Sequence, residues 1–179
     1  YAEEDRNYLR SCIQKAYNRL AKQYDPIVIE GAGSISEMNL LKQDLVNMSM
    51  ARYANASVLL VADIDRGGVF ASCYGSIMLQ SPHDRERIKG IIINKFRGDA
   101  RLFDEGRKMM ESYCGVPVLG VIPYFDDIVI EEEDTLHGDS PDNELLNDRN
   151  FREKQYDLLA NHVRKYLDID ALKKLMKDE

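Results

Sequence analysis

A carboxylate followed by two closely spaced glycines ends the first apolar run of the chain. Residues 27–29 are Ile-Val-Ile, Glu30 follows them, and Gly31 and Gly33 come next with one small residue between them. The run predicts a buried strand over 26–30, and the glycines predict a loop whose backbone a ligand can approach. Because ligands of open α/β sheets bind at the carboxyl ends of the strands, Glu30 is a candidate Mg²⁺ ligand and the glycines are candidate phosphate contacts. A salt-bridged or capping acid in a plain tight turn fits the same residues.

A second charged strand end follows the apolar run 57–63. Asp63 ends this run, Asp65 and Arg66 stand in the turn after it, and two glycines open the next helix. The carboxylates are suited to position a metal or to orient an attacking group, and the guanidinium can bind a carboxylate or phosphate through two hydrogen bonds. An internal aspartate–arginine ion pair, with the glycines capping a turn, is the structural alternative.

A third strand end carries Asn94 and Lys95 after the apolar strand predicted over 90–94. The carboxamide of Asn94 has a donor and an acceptor with which to read an edge of adenine, and the stem of Lys95 can cover the face of a base. The pair resembles the base-recognition loops of P-loop nucleotide-binding proteins, while a simple turn is the alternative. On the first loop, Glu37 and Asn39 are candidate substrate contacts or caps of the following helix.

These strand ends need a sheet that brings them to one edge. Hydrophobic periodicity predicts alternating elements, namely helix 4–22, strand 26–30, helix 40–54, strand 57–63, helix 67–79, strand 90–94, helix 100–113 and strand 118–122. The alternation is typical of a doubly wound α/β fold with a mostly parallel sheet. In such a sheet the ends at Glu30, Asp63, Asn94 and Pro123 converge on one edge.

The chain changes character after residue 130. The acidic and polar residues that follow predict a solvated linker over 135–150, between a domain at 1–134 and a C-terminal helical tail at 151–179. Apolar residues at helical spacing predict one long helix from 151, with Asp168 or Asp170 starting a second, shorter one. Because this tail has no strand and cannot form a core alone, it must pack on another surface.

Composition disfavours several classes of function. A net charge of −7 argues against general binding to nucleic acid or to an anionic membrane, and no apolar run approaches the roughly 20 residues that span a bilayer. The three cysteines show no CxxC spacing, so reduced cytoplasmic thiols are expected rather than a zinc site. The histidines at 83, 137 and 162 have no metal-ligand spacing, and we interpret them as structural.

Three motifs together resemble cobyric acid synthase, the glutamine-hydrolysing amidase of cobalamin synthesis. They are EGAGSISEMNL at 30–40, VADIDRGGVFAS at 61–72 and INKFRGD at 93–99, in the order and spacing of that family. The resemblance covers about residues 24–134, and residues 151–177 resemble the extreme C-terminus of the same family. It implies the P-loop NTPase fold of dethiobiotin synthetase and the partition-type ATPases.

The resemblance also implies a reaction that uses ATP and Mg²⁺. The family amidates the b, d, e and g carboxylates of a corrinoid, adenosylcobyrinic acid a,c-diamide, with ammonia from glutamine, each through an acyl phosphate. Carried over by position, the resemblance implies that Glu30 is a Mg²⁺ ligand and that Asn94 recognises adenine. It also implies that Pro123 and Tyr124 line one side of the nucleoside site. The resemblance also implies that Asp63, Asp65 and Arg66, at the second strand end, lie near the phosphate and the corrinoid carboxylates.

Two parts of the family pattern are missing from these residues. No G-x-x-x-x-G-K-[ST] motif occurs, so we expect the phosphate-binding loop to belong to a strand and helix that precede Tyr1. The glutaminase domain, through which glutamine would be used, is absent as well. Ile35 and Ser36 stand where the family usually has Pro-Ala, a mild change that alters loop stiffness. We therefore expect a fragment of a cytoplasmic enzyme, inactive alone, and leave homodimer formation open.

Two other functions stay open at this stage. A dethiobiotin synthetase-like ligase shares the fold, although the DIDRGG segment at 63–68 argues against it. A partition-type ATPase or scaffold would bind a partner through its sheet edge and C-terminal helix. Such ATPases commonly need a basic or amphipathic surface for DNA or membrane, and this acidic chain offers little of either.

Overall fold

The structure is a computed structural model that describes residues 3–130 and 147–176. In chain order its helices and strands are α1 (Glu3–Ala21), α2 (Met48–Tyr53), β1 (Val58–Asp63), α3 (Val69–Met78), α4 (Pro82–Arg87), β2 (Ile88–Phe96), α5 (Asp104–Cys114), β3 (Val118–Pro123), α6 (Arg149–Tyr166) and α7 (Ile169–Leu175). Short 3₁₀ turns at Leu41–Gln43, Ile64–Arg66 and Ala100–Phe103 precede α2, α3 and α5. Among the described helices, none combines the length and the apolar character that crossing a membrane requires.

The three strands form a parallel sheet in the order β1-β2-β3. Helices α3 and α5 pack on it and on each other, and Ile77, Ile91, Ile93 and Met110 are fully buried at their interface. Parallel strands need crossover connections, which α3 with α4 and then α5 supply here. The predicted α/β class, with a parallel sheet and a C-terminal helical region, is confirmed.

The strand predicted over 26–30 is wrong, since these residues form no strand. Val28 is 83% exposed and Ile29 is 40% exposed, so the apolar run is not buried either. An apolar run becomes a strand only when a neighbouring strand pairs its backbone groups, and no described strand does so here. Glu30 therefore does not stand at a strand end.

The helix predicted over 40–54 is also shorter than expected. Only a 3₁₀ turn and the six residues of α2 form, because the carboxylate of Asp44 intervenes. It accepts hydrogen bonds from the amides of Val46, Asn47 and Ser49 at 3.0, 2.8 and 2.8 Å. Such side-chain bonds compete with helical backbone bonds, so the chain turns at Asp44 and α2 starts afresh.

The C-terminal helices cover the outer edge of β3. Leu167 forms an antiparallel bridge with Gly120, and the amide of Asp168 donates to the carbonyl of Leu119 at 2.8 Å. Asp168 also caps α7, as one of the two residues predicted to start that helix. The predicted linker at 135–150 lies almost entirely outside the described residues. The tail thus packs on the sheet edge.

Gly120 is a position at which the tail lies very close to the sheet. A Cβ there would stand 2.7 Å from the carbonyl oxygen of Tyr166 and 3.1 Å from the Cα of Leu167, both backbone atoms. We expect Gly120→Ala to lower the free energy of unfolding by about 1–3 kcal/mol, the usual cost of overpacking. Urea unfolding measures this change.

Gly75→Ala in α3 is the matched control, because, apart from its chain neighbours and the backbone of its own helix, no atom of the described residues lies within 4 Å of the added Cβ. Alanine favours a helix over glycine, so the stability of this variant should be equal or higher. A Gly120→Ala chain as stable as the unsubstituted one would contradict the close approach of the tail.

Candidate functional site

Three of the four predicted strand ends meet at one edge of the sheet. Asp63 and Asn94 are register partners at the ends of β1 and β2, and Pro123 at the end of β3 pairs with Phe96. We call this edge, with residues 63–66, 94–97 and 123–124, the strand-end site. The carboxyl ends of parallel strands are the usual position of ligand sites in α/β sheets.

Asn94 carries the polar group of the strand-end site that is best suited to a ligand. Its side chain is half-buried, and its carboxamide makes no hydrogen bond with the described residues. Since partly buried polar groups normally have partners, this carboxamide is available to a ligand. The next residue, Lys95, has a φ of 61°, in the left-handed region that side chains disfavour. This kink coincides with an irregularity in the β2–β3 register, and such bulges commonly re-aim side chains beside functional sites.

The charged side chains after β1 form a network centred on Asp63. Its carboxylate accepts a hydrogen bond from the amide of Asp65 at 3.0 Å, and lies 3.3 Å from Nζ of Lys95 and 3.5 Å from Nε of Arg66. The internal aspartate–arginine pair, which was the structural alternative, is therefore present. Arg66 is nevertheless 86% exposed and its contact is long, so its guanidinium remains accessible to an anion.

Arg97 is the site residue to which sequence analysis assigned no role. Its Nε and Nη2 donate to the two carboxylate oxygens of Asp65 at 2.6 and 3.0 Å, and its guanidinium lies 4.3 Å above the ring of Tyr124. The bidentate pair fixes the guanidinium plane, and a cation over an aromatic face adds attraction. We call this arrangement the Asp65–Arg97–Tyr124 bridge. The signal that could have predicted this bridge is the parallel pairing of Asp63 with Asn94. Because these two residues are paired, the turns that follow them, which carry Asp65 and Arg97, also lie side by side.

The bridge lowers the pKa of Asp65. Hydrogen bonding to Arg97 holds the pKa of this carboxyl below its ordinary value. The pKa of Asp65 is thus lower in the folded state than in the unfolded state. The pair therefore stabilises the fold fully at pH values above the ordinary carboxyl pKa, and this stabilisation is lost as the pH falls through the folded-state pKa. We expect Arg97→Gln to raise the pKa of Asp65 toward its ordinary value, as measured by carbon-13 NMR of the carboxylates.

Arg101→Gln is the matched control for this titration. Arg101 binds Asp99 through the same kind of fork, and hydrogen bonding to it lowers the pKa of Asp99 to about 2. Arg101→Gln should raise the pKa of Asp99 and leave that of Asp65 unchanged. An Asp65 pKa that does not respond to Arg97→Gln would contradict the bridge.

The loop after Glu30 is bonded to elements away from the strand-end site. The backbone of Ala32 exchanges hydrogen bonds with the side chain of Asn47 at 2.7 and 3.0 Å, and Gln80 donates to the carbonyl of Ile35 at 2.9 Å. A Cβ on Gly31 would collide with the carboxamide of Asn47, so packing alone accounts for this glycine. Sequence analysis predicted that this loop and Asn94 lie at the same edge of the sheet. The hydrogen bonds described here do not connect the two.

Glu30 is exposed and pairs with none of the described residues. Within residues 3–130 and 147–176, no three His, Cys, Asp or Glu side chains form a group that could hold a metal. A single available carboxylate still fits Mg²⁺, which keeps several waters and takes one or two carboxylates together with substrate phosphates. Glu30 is thus suited to complete a metal–phosphate complex, but not to bind the metal alone.

A cavity of about 390 Å³ lies within the first loop. Gly33, at a φ of 66°, and Glu37 line it together with apolar side chains such as Leu40. Asn39 is exposed in the adjoining turn and does not line it. Neither Glu37 nor Asn39 caps the following 3₁₀ turn or α2 through its side chain. The cavity is separate from the strand-end site, since no residue of that site lines it.

The class of protein follows from the fold, the strand-end site and one family match. A family model described as an AAA domain matches residues 2–132, which contain the whole sheet and all the predicted site residues. The chain therefore belongs to the AAA domain family, and the predicted α/β fold of the P-loop NTPase type is confirmed. A search of the solved structures finds no match.

Within this class, the chain is similar to curated proteins named cobyric acid synthase. It is 65% identical to the one from Phocaeicola vulgatus over 136 residues, 51% to one from Bacteroides fragilis over 179, and 59% to one from Limosilactobacillus reuteri over 124. These alignments cover 76%, 97% and 69% of the chain but only 27%, 34% and 25% of the relatives. The chain spans about a quarter to a third of their length, and the resemblance carried by the three motifs is confirmed. The alignment that covers 97% of the chain necessarily includes the C-terminal helices.

Proposed function

We propose that the chain is the nucleoside-binding part of an ATP-dependent amidoligase of cobalamin biosynthesis, of the cobyric acid synthase type. The observation that carries this proposal is the half-buried, unpartnered carboxamide of Asn94 at a parallel strand end. Adenine offers a donor and an acceptor on one edge, which a carboxamide can pair with. Its face packs well on alkyl and aromatic groups such as the Lys95 stem, Pro123 and the Tyr124 ring.

The proposed substrates are ATP with Mg²⁺, ammonia derived from glutamine, and a corrinoid with free carboxylates. The relatives' name supports cobyric acid as the product. From the motif resemblance, the proposed acceptors are the b, d, e and g carboxylates of adenosylcobyrinic acid a,c-diamide. In each amidation a carboxylate oxygen bonds to the terminal phosphorus of ATP and ADP leaves, and ammonia then displaces phosphate from the acyl phosphate. The glutaminase domain that releases ammonia is proposed to lie outside these residues.

The charges of the strand-end site suit phosphoryl transfer, which needs mainly positioning and charge neutralisation. Three cations, Arg66, Lys95 and Arg97, face the carboxylates of Asp63 and Asp65 within a chain of net charge −7. We assign Arg66 to bind a corrinoid carboxylate or a phosphate. The two aspartates hold the three cations in place beside the reacting groups.

The first loop is assigned to metal, phosphate and substrate. Glu30 is the proposed Mg²⁺ ligand, and bound Mg²⁺ would neutralise charge on the phosphates. Gly31 and Gly33 are the proposed phosphate contacts, supported for Gly33 by the open space where a Cβ would stand. Glu37 and Asn39 are the proposed corrinoid contacts, supported for Glu37 by its place in the cavity.

The phosphate-binding loop itself is proposed to come from polypeptide outside the 179 residues. The outer edge of β1 supports this, because no described strand pairs with it and Val61 is 60% exposed. Parallel sheets normally have both faces covered, so the exposed Val61 indicates that further polypeptide also packs on this face of β1. We therefore expect the chain alone to bind nucleoside weakly and to hydrolyse no ATP. Steady ATP hydrolysis by the purified chain would contradict this part of the proposal.

Asn94→Ala tests the nucleoside assignment. Because it removes one or two hydrogen bonds to the base, we expect adenosine to bind about five- to tenfold more weakly in an NMR titration of the chain. The unsubstituted chain should bind adenosine more tightly than guanosine, and this difference in affinity should disappear in Asn94→Ala.

Asn7→Ala is the matched control, since Asn7 is an exposed asparagine of α1 whose side chain accepts a hydrogen bond from nearby Arg10. It should leave the adenosine affinity unchanged. Equal adenosine affinities of Asn94→Ala and the unsubstituted chain would refute the nucleoside assignment.

A further inference from the structure

His162 on α6 contacts the segment that carries Tyr124. Its Nε2 donates to the carbonyl of Pro123 at 2.9 Å, and its ring stacks on Phe125 with centroids 4.3 Å apart and planes 3° apart. Since a carbonyl oxygen only accepts, Nε2 carries the proton. Tyr124 therefore lies between the two residues that His162 contacts.

Helix α6 is itself held along the same stretch of chain. The bridge between Leu167 and Gly120 fixes its C-terminal end to β3. Nearer its start, the amide of Val129 donates to the side chain of Gln155 at 3.0 Å. His162 lies between these two attachments, so its position relative to β3 is well determined.

Tyr124 is held from two sides. Its amide donates to the carbonyl of Phe96 at 2.8 Å on the β2 side, and His162 holds its neighbours on the α6 side. Its ring lies under the guanidinium of Arg97. A residue of the C-terminal tail therefore contacts the chain on both sides of this ring.

We propose that His162 is a positioning residue of the nucleoside site. Through the carbonyl of Pro123 it holds Tyr124 under Arg97, so the docking of α6 and the binding of a nucleoside are coupled. The inference rests on the proposed nucleoside function of the strand-end site and extends that site to the C-terminal helix. Because coupling is reciprocal, a bound nucleoside also stabilises the docking of α6.

Two substitutions separate the hydrogen-bond donor from the ring. His162→Phe keeps an aromatic ring against Phe125 and removes the donor, whereas His162→Gln places an amide donor near the position of Nε2. His83→Gln is the matched control, because His83 lies on α4 beside Arg87 and outside the strand-end site. The amide spectra of all three variants report whether they are folded.

The first readout needs no ligand and consists of the Nε–H resonance of Arg97 and the ring resonances of Tyr124. We expect His162→Phe to shift both, His162→Gln to restore them, and His83→Gln to leave them unchanged. Unshifted Arg97 and Tyr124 resonances in a folded His162→Phe chain would overturn the proposal, whatever the nucleoside affinity.

The second readout is adenosine affinity together with amide hydrogen exchange. We expect His162→Phe to weaken adenosine binding about three- to tenfold, the effect of one hydrogen bond. Saturating adenosine should slow exchange of the Asp168 amide by a similar factor, about three- to tenfold, in the unsubstituted chain. Adenosine binding without any change at Asp168 would refute the coupling. If adenosine does not bind the unsubstituted chain, the proposed nucleoside function fails, while the resonances still decide whether His162 positions Tyr124.

Discussion

The parallel register of β1 and β2 is the constraint on which the strand-end site depends. It pairs Asp63 with Asn94, and the turns beyond them then bring Asp65 within bidentate reach of Arg97. The guanidinium so fixed lies over Tyr124, which ties the third strand end to the other two. A slip of one residue in this register would turn each side chain to the opposite face and abolish the bridge.

Sequence reasoning succeeded where a residue's environment follows from local periodicity. The runs predicted as strands at 57–63, 90–94 and 118–122 match β1, β2 and β3 within two residues, because buried parallel strands consist almost entirely of apolar residues. The run at 26–30 is equally apolar, but it can form a strand only if a neighbouring strand pairs with its backbone, and no described strand does so. Arg97 escaped notice for a related reason, since its partners Asp65 and Tyr124 are distant in sequence and meet only through the sheet.

The described structure presents the proposed nucleoside half of a site and leaves the proposed metal half open. Asn94, Lys95 and Tyr124 are positioned by the sheet, the bridge and the C-terminal helix. Glu30 pairs with none of the described residues, and the loop after it is bonded through Ala32 to Asn47, away from the strand ends. The tail covers the outer edge of β3, while no described strand pairs with the outer edge of β1. This asymmetry agrees with a chain that spans about a quarter to a third of its relatives.

The proposed binding of adenine at the carboxyl ends of the strands, beside Asn94, decides the function of the strand-end site. A map of amide and side-chain NMR shifts during titration with adenosine tests it most directly. We expect the largest shifts at Asn94, Lys95 and Tyr124, with smaller ones at His162. Shifts confined to the cavity around Gly33 and Glu37, with none at Asn94, would contradict it.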